Sequence, residues 1–516
     1  MVLSFERPGP ISALAAVLVI ALGLAAHGRG DQPDRTETQT KLKPFIFGAR
    51  ACASCHDLQN RRNDTKEELE SWICRMDEFP IYNSKDKHKL AFQALTGSRG
   101  RRMGELLRTD VTKLDACLAC HSVPDRGIEK QQYTRETDGV TCVACHGAHE
   151  EWVEKHQSGS KAWRALDRVQ KERLHGMTDL WSPARRAETC ASCHIGNFAQ
   201  GKILTHAMYA AGHPPLPSFE AAAFSDAEPR HWQYLSEKTP ARLERLMPDA
   251  DPKNRERTQL VAIAALVELR ESARLFADQA AAEQPATLGA QWPDYARFDC
   301  NACHHELQAK AGASWRQLRH QGGAPGRPTA PDWPLVLARL AVETDPSQAA
   351  TRSAGLDQAL APFQDALRIR PLGDPKTLVP AAQKIADWAD AAIKSLDHTT
   401  FDSKTASHFL ERLCAVAELA APDYDSARQI AWAFATIYRE LIPENHRDPA
   451  IEKALASLTA ELDLDLPPAQ TQALIETTLG GRLKKAADFD PQPFQGYFRS
   501  IAKRLNPTGA IQSARR

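Results

Sequence analysis

Two rhythms of apolar residues divide this chain. Beyond Leu335, hydrophobic side chains recur at three- and four-residue spacing in stretch after stretch. That period predicts helices over Leu356–Ile369, Pro380–Leu396, Ser407–Leu419, Ser426–Leu441 and Ile451–Leu462. Rich in Ala and Leu, residues 335–516 read as an all-α, antiparallel helical bundle. Upstream, from Phe45 to about Lys310, the same period surfaces clearly in Thr258–Ala282, where it predicts an amphipathic helix. The rest of that region is dense in loop signals and poor in the alternating runs that make strands. The Gly- and Pro-rich stretch Gly322–Pro334 marks a boundary between the two parts.

A third pattern sits at the N-terminus. Ile11–Ala26 is apolar and uncharged, lies behind Arg7, and ends in the small-x-small triplet Ala26-His27-Gly28. The run is short for a bilayer span and reads as an export signal over 1–28, with an uncleaved anchor as the alternative. A polar linker, 29–44, follows, and no later stretch is long and apolar enough to cross a membrane. Lys plus Arg and Asp plus Glu both number 65 in 516 residues, so the chain is formally neutral, which excludes a nucleic-acid binder of the basic kind. The local run Arg99, Arg101, Arg102 and Arg108 reads as a solvated face, with docking of an acidic redox partner as the alternative.

Cysteine spacing supplies the chemistry. The run Cys-x-x-Cys-His occurs five times: Cys52/Cys55/His56, Cys117/Cys120/His121, Cys142/Cys145/His146, Cys190/Cys193/His194 and Cys300/Cys303/His304. Thiols at i and i+3 share one face of a helical turn and can bond both vinyl groups of one porphyrin. The adjacent His then supplies the proximal imidazole to iron, which is the attachment pattern of haem c. Structural zinc needs two cysteine pairs per site and no His after each, and five pairs leave one over. Thioredoxin-like chemistry needs one pair, and a chain this long needs no disulfide framework. The expected cofactor is therefore haem c, five per chain and covalent, and 45–325 becomes a multihaem domain with little regular structure around stacked haems. The overall class is mainly α. Of the 12 cysteines, Cys74 and Cys414 stand outside the motifs and read as buried free thiols, with a disulfide between them as the alternative.

A haem iron with one proximal His has a sixth position to fill. Histidines outside the motifs in this part are His88, His149, His156, His175, His206, His213, His231, His305 and His320. His206 and His213 lie two helical turns apart and can project from one face toward neighbouring haems; His149 and His156 share that separation, and either can serve. His305 follows a motif too closely to reach another iron.

Several phrases resemble the multihaem cytochromes c grouped with the c-554 electron carrier of ammonia oxidisers. They are Cys74-Arg75-Met76-Asp77-Glu78-Phe79 with Asp86-Lys87-His88-Lys89-Leu90-Ala91; Asp138-Gly139-Val140-Thr141-Cys142 through Cys145-His146-Gly147 to Glu151-Trp152 and His156; His206 through His213-Pro214; and Phe298-Asp299-Cys300 through His304-His305-Glu306-Leu307 with Ser314-Trp315-Arg316. The likeness spans roughly Phe45–Pro334 and implies His88, His156, His206 and His213 as distal ligands. A fifth motif and a long helical extension depart from the tetrahaem type.

Two functions follow. The first is a periplasmic electron-transfer protein with mostly bis-His haems, exchanging electrons with other cytochromes, a quinol oxidase or a reductase. The second is an oxidoreductase acting on a small nitrogen or sulfur compound at one open haem, with Tyr133, Arg135 and Tyr209 as pocket residues; packing is the plainer role for all three. No residue is assigned as catalytic. A weaker, third reading docks the protein into a larger redox complex through its helical part.

Overall fold

A computed structural model of the protein describes residues 42–61, 65, 74–125, 127–157, 160–216, 218–247, 250–282, 291–304, 327–397, 399–419, 423–465 and 479–505. The apolar N-terminal run, His305, His320 and Glu306 through Arg316 lie outside them. The described chain is mainly helical, and its residues divide into two compact units.

The smaller unit includes residues 149–177 and holds the helices Glu150–Gln157, Lys161–Ala165 and Arg168–His175. Asp167 and Gln170 cap the third helix reciprocally, and Gly176 ends it at φ 78°. Trp163 packs on His175 with ring centroids 5.5 Å apart, while Lys43 N–H donates to Glu151 at 2.8 Å.

The larger unit, 44–148 with 178–516, begins as short helices joined by irregular chain. Two residues at Ile46–Phe47 (β1) pair in parallel with Lys130–Gln131 (β2). The helices that carry or face the Cys-x-x-Cys-His motifs are Ala49–Ala53 (α1), Asp115–His121 (α2), Cys142–His146 (α3), Pro183–His194 (α4), His206–Ala210 (α5) and Ala221–Ala227 (α6). A long helix, Glu256–Ala281 (α7), follows. The C-terminal set is Trp333–Ala341 (α8), Ala349–Ile369 (α9), Pro375–Asp397 (α10), Ser403–Leu419 (α11), Tyr424–Leu441 (α12), Pro449–Glu461 (α13), Leu479–Asp488 (α14) and Pro491–Leu505 (α15).

The predicted helices of the C-terminal part all form, and α8, α14 and α15 join them. α8 starts inside the Gly/Pro stretch because Pro334 sits in its first turn, where the missing N–H costs nothing. The amphipathic reading of α7 needs correction. Leu260 through Val267 are buried on every side, and so are Glu268, Arg270 and Glu271. α7 is a central helix packed by α4, α8, α10, α12 and α6, and one hydrophobic core runs through it from Ala187 to Ala502. Cys414 is buried in that core, as expected, and Cys74 is half-buried. No described helix is long and apolar enough to cross a membrane.

Candidate haem sites

The motifs share one local geometry. In α2, α3 and α4 the motif His is the last helical residue, so both thiols and the ring leave the same final turn. The first and fifth motifs form single turns instead: His56 N–H donates to Cys52 O at 3.0 Å, and His304 N–H to Cys300 O at 2.8 Å. Thiols from different motifs also lie close enough to interact, Cys52 with Cys142 and Cys120 with Cys193.

Among the described residues, four motif histidines face a second His. Ring centroids lie 6.3 Å apart for His121 and His213, 6.3 Å for His146 and His231, 6.5 Å for His194 and His88, and 6.2 Å for His304 and His206. Metal–imidazole bonds are about 2 Å long, so two in line separate ring centroids by roughly 6 Å. The observed spacings fit an iron held between the rings. Ring planes are crossed by 86°, 76° and 64° in three pairs and by 20° in the His206/His304 pair.

Hydrogen bonds to Nδ1 support that fit. A carbonyl or carboxylate can only accept, so Nδ1 carries the proton and Nε2 keeps its lone pair for a metal. His121 Nδ1 donates to Ala91 O at 2.7 Å and His213 Nδ1 to Pro214 O at 2.7 Å. His88 Nδ1 meets Asp86 Oδ1 at 3.0 Å, and His56 Nδ1 meets Glu78 Oε2 at 3.1 Å.

Local structure aims the facing histidines. Asp86 caps the turn that carries His88, and Val140 N–H donates to His88 O at 3.0 Å. That approach needs Gly139: its φ is 49°, and a Cβ there would stand 2.6 Å from His88 O and 2.5 Å from Lys89 O. His206 opens α5, with its N–H on Asp294 Oδ1 at 3.0 Å. The expectation that His206 and His213 share one helix face is not met. α5 ends at Ala210, Gly212 turns the chain at φ 108°, and the two rings meet different motifs.

His156 lies on the first helix of the smaller unit, its Nδ1 2.7 Å from Val153 O and its ring 5.0 Å from Trp152. His149 and His175 belong to that unit too. Sequence reasoning gave His231 no role. It sits in irregular chain, 85 residues from the His it faces, so neither period nor motif could single it out.

A cavity of about 630 Å³ lies against the fifth motif, lined by Cys300, Tyr209, Arg297, Leu360, Phe363 and Arg482 among others. Arg297 is buried, donates from Nη2 to Leu204 O at 2.8 Å, and leaves Nε without a partner among the described residues. Of the fifth motif Cys300 lines this space, and an acidic group of a porphyrin attached there would find the Arg297 guanidinium beside it. Tyr209 thus lines a pocket, whereas Tyr133 is a buried strut, its hydroxyl accepting from Val123 N at 2.9 Å. Arg135 pairs with Asp125.

Cys-x-x-Cys-His turns whose histidines face second histidines across an iron-sized gap define a c-type cytochrome. The likeness has a family: residues 51–147 match the family model described as cytochrome c554 and c-prime, and over that segment the chain is cytochrome c-554-like. No curated protein and no solved structure matches the chain.

Proposed function

We infer that the protein is a periplasmic electron-transfer cytochrome carrying five covalent haems c, one on each Cys-x-x-Cys-His motif. Cys52, Cys55, Cys117, Cys120, Cys142, Cys145, Cys190, Cys193, Cys300 and Cys303 bind the porphyrins, and His56, His121, His146, His194 and His304 are the proximal ligands. The observation that carries the reading is the set of four facing His pairs, which supports His213, His231, His88 and His206 as the distal ligands of four irons. His156 remains a ligand candidate through the family resemblance. Filled sixth positions favour outer-sphere electron transfer over binding of small substrates.

The adjacent sulfurs of Cys52 and Cys142, and of Cys120 and Cys193, bring porphyrin edges of different motifs together, as a relay requires. The chain contributes spacing, ligation and electrostatics while the haems exchange electrons. Its partners are other redox proteins, of the classes of a cytochrome, a quinol oxidase or a reductase. α9 and α14 add Leu360, Phe363 and Arg482 to the Cys300 cavity, which brings the helical part beside the fifth motif.

The test is haem quantification on the exported, purified protein together with reduction by a one-electron donor. Five haems per chain that all reduce, with no turnover of nitric oxide, nitrite or hydroxylamine, is the expected result. Fewer than five haems, or steady turnover of one of those compounds, contradicts it.

A further inference from the structure

The groups behind the axial histidines are not alike. His121 and His213 each donate Nδ1–H to a neutral backbone carbonyl, Ala91 O and Pro214 O, both at 2.7 Å. His88 and His56 instead meet carboxylates, Asp86 Oδ1 at 3.0 Å and Glu78 Oε2 at 3.1 Å. Both carboxylates are shielded, with side-chain exposures of 6% and 16%. Both are also fixed. Asp86 Oδ1 accepts His88 N–H at 2.9 Å as well as the ring proton. Glu78 Oε1 accepts from Arg75 N at 2.6 Å and Met76 N at 3.2 Å, and Met76 adopts φ 65° to aim its N–H there.

A carboxylate on Nδ1–H draws the proton away and makes the imidazole a stronger donor to iron. Its charge, little screened at low exposure, also favours the ferric over the ferrous state. Both effects lower a haem's reduction potential, and a carbonyl acceptor produces neither to the same degree.

We propose that Glu78 and Asp86 are potential-setting residues that place the His56 haem and the His88/His194 haem below the His121/His213 haem in reduction potential. The proposal rests on the motifs being haem sites. It adds a direction among these three haems: an electron shared between them rests at the His121/His213 haem, with the two carboxylate-backed haems as low-potential stations.

Potentiometric titration of the whole holoprotein tests this, with haem counted for each variant. Asp86→Asn and Glu78→Gln remove charge while keeping shape, and each is expected to shift one one-electron step to higher potential and leave the others in place. Asp86→Glu and Glu78→Asp keep the charge and are expected to retain the low potential. Unshifted steps in Asp86→Asn and Glu78→Gln at full haem content overturn the proposal. So does an equal shift in the charge-keeping variants, or loss of a haem on neutralisation, which makes the carboxylates assembly residues. A parent protein with fewer haems than motifs counts against the haem reading itself, so the two failures are distinguishable.

Discussion

Ring spacing reduces much of this protein to pairs of residues, and His231 is the sharpest case. Its ring faces His146 at 6.3 Å. His231→Ala should convert one low-spin haem to high-spin at unchanged haem content, read as a new high-spin ferric EPR signal; an unchanged spectrum would remove His231 from the ligand set. A second residue-scale device is the buried carboxyl pair Glu220 and Glu268. Glu220 caps α6, accepting from Ala222 N at 3.1 Å and Ala223 N at 2.7 Å, and Glu268 accepts from Gln429 Nε2 at 2.8 Å. Burial pushes Glu220 up from 4.5 to about 7, although its backbone hydrogen bonds pull the other way, and it pushes Glu268 up as well. The folded protein therefore holds the Glu220 proton more tightly than the unfolded chain. The associated stability is complete below pH 4.5 and is lost as pH rises through about 7. At about 1.4 kcal/mol per pKa unit, that loss approaches ~3 kcal/mol. Denaturation midpoints measured between pH 5 and 8 should fall more steeply in the parent than in Glu220→Gln; parallel curves would exclude this linkage.

At the scale of elements, α7 organises its surroundings. Its first turn is capped from another helix, with Glu440 accepting from Arg257 N at 2.8 Å and Thr258 N at 2.9 Å. Midway, the buried Arg270 meets Glu188 of α4, Glu271 at 2.8 Å and Asp390 of α10 at 2.7 Å. Removing one member of a buried ion network leaves the others uncompensated, at a cost of about 3–5 kcal/mol. Arg270→Ala should lower stability by that amount and, because Glu188 lies two residues before Cys190, broaden the spectrum of the fourth-motif haem. A cost below about 1 kcal/mol, the range of exposed pairs, would mean the network is solvated. The helix was legible in the sequence because its apolar residues keep the helical period. Its central position was not, since Glu268, Arg270 and Glu271 look like a wet face until Gln429, Glu188 and Asp390 are brought to them from 80 to 160 residues away. By contrast α15 keeps the helical period through Phe494, Phe498, Ile501 and Leu505, and was legible though not predicted; Phe494 and Phe498 are core.

Across the whole molecule, covalent chemistry was the legible part. Thioether spacing is local, so five motifs can be read from the chain without its fold. Distal ligation is not local: His88 precedes the His it faces by 106 residues, and His206 by 98. The family resemblance implies His88, His156, His206 and His213 as ligands; the fold sets His88, His206 and His213 each opposite a motif His and sets His156 against Trp152, while His231 emerged from the fold alone. The crossed and near-parallel ring planes give the account a spectroscopic form. Crossed imidazoles leave the iron d orbitals nearly degenerate and produce strongly anisotropic low-spin signals, whereas near-parallel ones split them and produce a rhombic signal. The measurement to make is an integrated EPR spectrum of the oxidised, purified protein beside its haem count. Low-spin ferric signals amounting to at least four haems per chain, three strongly anisotropic and one rhombic, are predicted. High-spin signal from two or more irons would contradict the facing-histidine account and with it the reading of this protein as an electron-transfer relay.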